Sequence, residues 1–158
     1  QGRFEDRIEL DGIQGNFPLP DLSAEYRIGR DWGYFEVAGM LRKVEWDDTN
    51  DDEFDLSGDA VGWGINLSSK VKLGDADTLR VQVDYGEGIE NYMNDATADL
   101  GIEPNPGNPQ APIKGVTLPI LGVVAFLDHS WGDGLSTAVG YSLSDIDNAS
   151  GQSPSAFS

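Results

Sequence analysis

The 158-residue chain contains no cysteine, which removes disulfide staples and thiolate metal sites and leaves the cellular compartment open. It has one histidine, His129, so catalytic constellations are scarce. Basic residues are scarce, ten Lys and Arg against 28 Asp and Glu, for a formal net charge of -18. A surface of that sign is repelled by a phosphate backbone, and nucleic acid is excluded as a partner. Long apolar runs are missing as well: no stretch approaches the ~20 residues of a spanning helix. The hydrophobic fraction of 39% lies below the roughly 45–50% of soluble domains, so no large dry core is expected. A mean hydropathy of -0.36 still permits one membrane architecture, because alternating strands dilute the signal. The opening QGRFEDRIEL is charged and has no apolar stretch of the secretory kind, and the chain closes on DNASGQSPSAFS. Both ends are expected to lie in loops cut from a longer chain.

What the chain does have is two-residue alternation, the mark of a sheet with one apolar face. From Ala60 to Leu73 one parity reads Val61, Trp63, Ile65, Leu67, Ser69, Val71, Leu73, and the other Gly62, Gly64, Asn66, Ser68, Lys70, Lys72. After Gly74-Asp75-Ala76-Asp77 the pattern resumes, with Leu79, Val81, Val83 and Tyr85 opposed to Arg80, Gln82, Asp84 and Gly86. That spacing predicts a hairpin. A second is predicted around Gly132-Asp133-Gly134, where Leu121, Val123, Ala125 and Leu127 precede Leu135, Thr137, Val139, Tyr141 and Leu143, although Val124 and Phe126 blur the first of these strands. A third turns at Gly29-Arg30-Asp31, between Ala24, Tyr26, Ile28 and Phe35, Val37, Gly39, Leu41.

Three short turns alternate with long polar stretches at 1–20, 47–59, 89–117 and 147–158. Putting every long connection at one end is the habit of outer-membrane barrels, which have short periplasmic turns and long extracellular loops. The expected fold is all-β, an antiparallel up-and-down transmembrane β-barrel, with residues 1–158 a fragment of about six strands. Within the long loop, ENYMNDATADLG is expected to form a short helix ended by Gly101, and EPNPGNPQAP to resist regular structure. Trp46, Trp63 and Tyr85 fall towards the long-loop end, and Tyr26, Trp32 and Trp131 beside the short turns, as two aromatic girdles would. Core aromatics of a soluble sheet are the competing reading.

If the apolar parity faces lipid, the other faces water, and five of the six basic residues on predicted strands fall on it: Arg27, Arg42, Lys70, Lys72 and Arg80. Lys43 has the opposite parity. A cation facing lipid at the midplane costs roughly 2–4 kcal/mol, which explains the bias, and rings of such cations also set anion preference in pores. The candidate pore-lining set adds Glu36, Asp84 and Asp128, which together with Glu25 could neutralise the wall across neighbouring strands. The segment DDTNDDEFDLSGD holds seven carboxylates between Asp47 and Asp59. It fails the EF-hand pattern, with Glu53 where glycine is required and Asp59 where the bidentate glutamate belongs, so it is expected to be a solvated acidic loop. His129 and Ser130 are strand neighbours that point to opposite faces and cannot act as base and nucleophile. Gly86-Glu87-Gly88 is followed by no helix and lysine of the phosphate-binding kind. No catalytic, cofactor or metal site is expected.

The segments LPDLSAEYRI, DWGYFEVAGMLRKV, GWGINLSSKVKLG, DTLRVQVDYGEGIENYMND and GYSLSDIDN follow the order seen in DcaP-like outer-membrane porins, a resemblance covering most of residues 19–150. It implies a partial chain from a barrel of about sixteen strands that assembles as a homotrimer in the outer membrane of Gram-negative bacteria and admits small, often anionic solutes such as dicarboxylates. It further implies Arg27, Arg42, Lys70 and Arg80 as wall residues, with Asp128 standing where the family pattern places a basic residue. Small solutes, outer-membrane lipid and lipopolysaccharide are the expected partners, and passive diffusion through a water-filled lumen the expected activity. The alternatives are a soluble β-sandwich or barrel acting as a binding module and, further off, an outer-membrane barrel enzyme.

Overall fold

A computed structural model describes residues 12–16, 18–93 and 99–150. Among them run nine strands: β1 (Ile13–Asn16), β2 (Leu22–Arg30), β3 (Gly33–Asp48), β4 (Gly58–Lys72), β5 (Asp77–Glu87), β6 (Leu100–Pro104), β7 (Ile113–Thr117), β8 (Pro119–Gly132) and β9 (Leu135–Ile146). Seven of them form one antiparallel sheet, and β6 and β7 form a separate hairpin. β2 and β1 pair in succession with the same edge of β3, β2 along 33–41 and β1 along 45–48. The lateral order is then β3, β4, β5, β8, β9, a curled half-barrel of the porin type.

The expected all-β meander is therefore what the chain forms, and the register shows why. Met40 lies opposite Gly64, Gly64 opposite Gly86, and Gly86 opposite Ile120, so residues of one parity form continuous rows across the sheet. The outer parity carries β-branched and aromatic residues that suit strands, among them Val61, Ile65, Val139 and Tyr141, which are all exposed. The short turns lie at residues 31–32, 73–76 and 133–134, all at one end. Asp133 and Gly134 have φ of 52° and 79°, the paired left-handed residues of a type I′ turn, and a register shift between Ser130 and Gly132 precedes them. Gly33, at φ 139°, lets the chain re-enter the sheet where a Cβ would stand 1.8 Å from the Lys70 carbonyl oxygen.

Three expectations need correction. The stretch 1–20 is not wholly loop, because β1 occupies Ile13–Asn16; residues 1–11 lie outside the described part. The helix over 90–101 is a single 3₁₀ turn at Glu90–Tyr92, and Gly101 sits inside β6; residues 94–98 lie outside the description. Strand pairing of 100–104 with 113–117 claims the backbone hydrogen bonds that a helix would have used, and EPNPGNPQAP contributes its first residues to that hairpin. Trp46 is no girdle residue. It sits on the inner parity at 6% exposure, under the β6–β7 hairpin, where a Cβ on Gly115 would lie 2.5 Å from its ring.

Candidate functional site

The long connection between β5 and β8 folds back over the polar face of the sheet, which thereby becomes the inner face. Glycine makes room for it. A Cβ on Gly64 would lie 2.6 Å from Ile89 Cδ1, one on Gly86 2.7 Å from the same atom, and one on Gly122 2.1 Å from Met93 Cε. The small residues of the inner parity are thus a seat for Ile89 and Met93 as well as relief for a curved wall. Ile89 and Ile120 are buried there, with Met40, Met93 and Ile146 packed around them. At the foot of the loop Gly88 N–H donates to the Leu118 carbonyl (3.0 Å) and Leu118 N–H to that of Asp99 (3.3 Å).

Arg42 ties this loop to the wall. Its guanidinium donates to the Gly88 carbonyl (3.2 Å), to Asn91 Oδ1 and to Asp99 Oδ2 (3.4 Å), and its side chain is 2% exposed. Asp99 Oδ1 accepts from the Asn91 N–H (2.9 Å), and Tyr92 donates its phenol to Asp21. Arg42 is therefore on the inner parity and is covered by the loop.

The remaining pore-lining candidates lie nearer the short turns. Arg27 meets Glu36 at 3.7 Å and lies 3.5 Å over the Tyr34 ring; Arg80 meets Asp128 at 2.8 Å. Asp84 accepts from the side-chain amides of Asn66 and Gln82. Lys70 and Lys72 make no ion pair among the described residues. Lys70 is nevertheless placed directly opposite Arg80, in a row that reads Tyr34, Lys70, Arg80, Phe126, Gly140 across five strands. Like charges in direct register are destabilising, so this row is not explained by sheet stability. Phe126, which blurs the alternation of β8, belongs to it: its ring lies over Gly140. Between this band and the inward loop is a recess of about 860 Å³ whose lining includes Asp21, Ser23, Asn66, Gln82, Asp84 and Ser142 and no Lys or Arg.

Other candidates resolve more simply. Lys43 faces outward and contacts Glu45 and Asp59, the latter at 3.8 Å. His129 Nδ1 meets Asp77 Oδ1 at 2.7 Å, and its ring is edge-on to Trp131, on the outer parity. The acidic loop turns its carboxylates on its own backbone: Asp48, Asp52 and Asp55 accept N–H groups from Leu56, Phe54 and Ser57. Among the described residues no three His, Asp or Glu side chains are grouped as metal ligands.

A curled antiparallel sheet with one-ended short turns, apolar outside and polar inside, with a loop folded inward, is the architecture of a porin-type β-barrel. It matches the crystal structure of the outer membrane channel DcaP of Acinetobacter baumannii with a TM-score of 0.63 and 14% sequence identity, over 90% of this chain and 37% of that one. The chain thus spans little more than a third of that channel, and the likeness is one of fold. No family model matches the chain, and no curated protein matches it by sequence.

Proposed function

We propose that the chain forms part of an outer-membrane porin that passes small polar solutes, anionic organic ones such as dicarboxylates in particular, by passive diffusion. The outer parity meets lipid, the inner parity lines a water-filled lumen, and no covalent step is involved. The observation that carries the anion preference is Lys70 set opposite Arg80 with Lys72 on the same face: three cations whose one ion-pair partner among the described residues is Asp128. A wall built for stability would separate them, whereas a wall that attracts anions and releases them gains from leaving cations without a carboxylate partner. Tight binding is not expected, since solute must leave as readily as it enters.

The test is the full-length parent protein in a planar bilayer under a salt gradient, alongside a variant with Lys70, Lys72 and Arg80 changed to Ser. Anion preference in the reversal potential that falls in the variant supports the reading. A protein that is monomeric in plain buffer and conducts nothing would overturn it.

A further inference from the structure

Four residues nearer the long-loop end than Lys70 and Arg80, the inner face changes sign. Its row there reads Glu25, Ala38, Asn66, Asp84, Gly122, Ser144 across six strands. Two carboxylates stand in that row and no cation, and neither Glu25 nor Asp84 makes an ion pair among the described residues. Asp84 takes one amide on each oxygen: Asn66 Nδ2 donates to Oδ1, and Gln82 Nε2 donates to Oδ2 (2.8 Å). Those contacts fix which way both amides point, since an amide oxygen turned on a carboxylate would be repelled. Asn66 Oδ1 and Gln82 Oε1 are thereby left as acceptors beside the carboxylate. All three residues line the 860 Å³ recess, whose charged lining residues are Asp84 and Asp21, and Asp21 is already engaged by the Tyr92 hydroxyl and by Arg42 Nε at 3.8 Å. Resting on the porin reading above, we propose that this wall also admits bipolar solutes, short peptides above all, with the carboxylate on the band of Lys70 and Arg80 and the ammonium in the recess at Asp84.

The two stations match the two ends of such a solute. An ammonium carries three N–H donors and no acceptor, and the recess offers it the Asp84 carboxylate and two amide oxygens. A carboxylate meets Lys70 and Arg80, whose one ion-pair partner among the described residues is Asp128. Between the stations runs a row without charge on four strands, Ser68, Gln82, Val124 and Ser142, which suits the neutral polar groups of a peptide backbone. Asp84 and Arg80, like Asn66 and Lys70, are four residues apart on one strand, about 13 Å between Cα atoms, and the reach of the Lys and Arg side chains shortens that span. One carbon separates the charges of an α-amino acid, too few to touch both stations. The termini of a short peptide are far enough apart. A solute whose far end is a second carboxylate is held by the cationic band alone, because that end meets Asp84 in the recess.

Osmotic swelling of liposomes that hold the full-length protein measures entry of triglycine, of N-acetyltriglycine, which lacks the ammonium, and of arabinose, a neutral reference for pore area. Asp84→Asn should lower the ratio of triglycine to N-acetyltriglycine rates by about two- to fivefold, the range of one exposed ion pair. Asp84→Glu should restore most of that ratio, and Lys70→Ser should slow both peptide forms relative to arabinose. Heat-shifted gel mobility confirms that each variant is a folded barrel. An unchanged ratio in Asp84→Asn, or no recovery in Asp84→Glu, overturns the recess as an ammonium site. A triglycine rate indifferent to Lys70→Ser overturns the pairing of the two stations. Saturation-transfer NMR of triglycine with the protein in detergent reads contact without transport, and the transfer should weaken in Asp84→Asn. That weakening in a protein that admits no solute, arabinose included, overturns the porin reading and leaves the recess standing.

Discussion

Lys70 and Arg80 stand side by side in the register with Asp128 as their one ion-pair partner among the described residues, and that placement makes opposite demands on stability and on transport. Replacing Lys70 with Ser should leave unfolding in detergent unchanged or improve it, by up to about 1 kcal/mol, because a like-charge cross-strand pair is removed. The same change should reduce anion selectivity in a bilayer. A Lys70 that only held the sheet together would show the reverse, with a lowered melting temperature and unaltered selectivity. Gly33 makes a purely structural demand. Its φ of 139° and the 1.8 Å approach of a Cβ to the Lys70 carbonyl oxygen leave no space for a side chain. Gly33→Ala should cost about 1–3 kcal/mol, read as a lower thermal midpoint of the folded barrel, with reversal potential intact in the molecules that fold.

Elements of this chain differ in how openly they declare themselves. The main-sheet strands beyond β1 show a two-residue period, blurred in β8 by Val124 and Phe126, because one face of the sheet is apolar and the other polar. The β6–β7 hairpin has no such contrast, since Gly101 is buried and Ile102, Gly115 and Val116 are half-buried on both of its faces, and its residues read as loop. What fastens it is Trp46, which donates its Nε1–H to the Leu56 carbonyl (2.8 Å) and presses on Gly58 and Gly115. Trp46→Ala removes both supports and opens a large cavity, a change of about 3–5 kcal/mol locally. Limited proteolysis should then cut within 104–113 and within the acidic loop 49–57 faster than in the native protein, while the barrel strands stay intact. Equal resistance in the variant would show that the hairpin is held by something other than Trp46. The sequence offered one signal for this role: Trp46 shares the parity of Arg42 and Val44, the inner one, and that parity argued against a place in a lipid-facing girdle.

At the scale of the whole molecule, the net charge of -18 and the cationic inner band act over different distances. Eleven of the 23 carboxylates among the described residues are in connections, whereas Lys70, Lys72 and Arg80 sit on the wall within strand reach of one another. Screening lengths fall from about 10 Å at 0.1 M salt to about 3 Å at 1 M, so distant loop charges should drop out first as salt is raised. The reversal potential of the full-length channel should therefore keep its anion preference from low to moderate salt and lose it only near 1 M. A preference that changes sign at moderate salt would place the selectivity in the loops. Alternation and turn spacing were enough to establish a barrel fragment, its two faces and the end that carries the long loops, because strand periodicity is local and one medium per face imprints it directly. The destination of the long loop, the burial of Arg42, the inner position of Trp46 and the meeting of Arg42 with Asp99 needed the folded chain. Those contacts join residues up to 57 positions apart through a loop without periodicity, and nothing in the spacing of such residues records which of them the closed sheet will bring together.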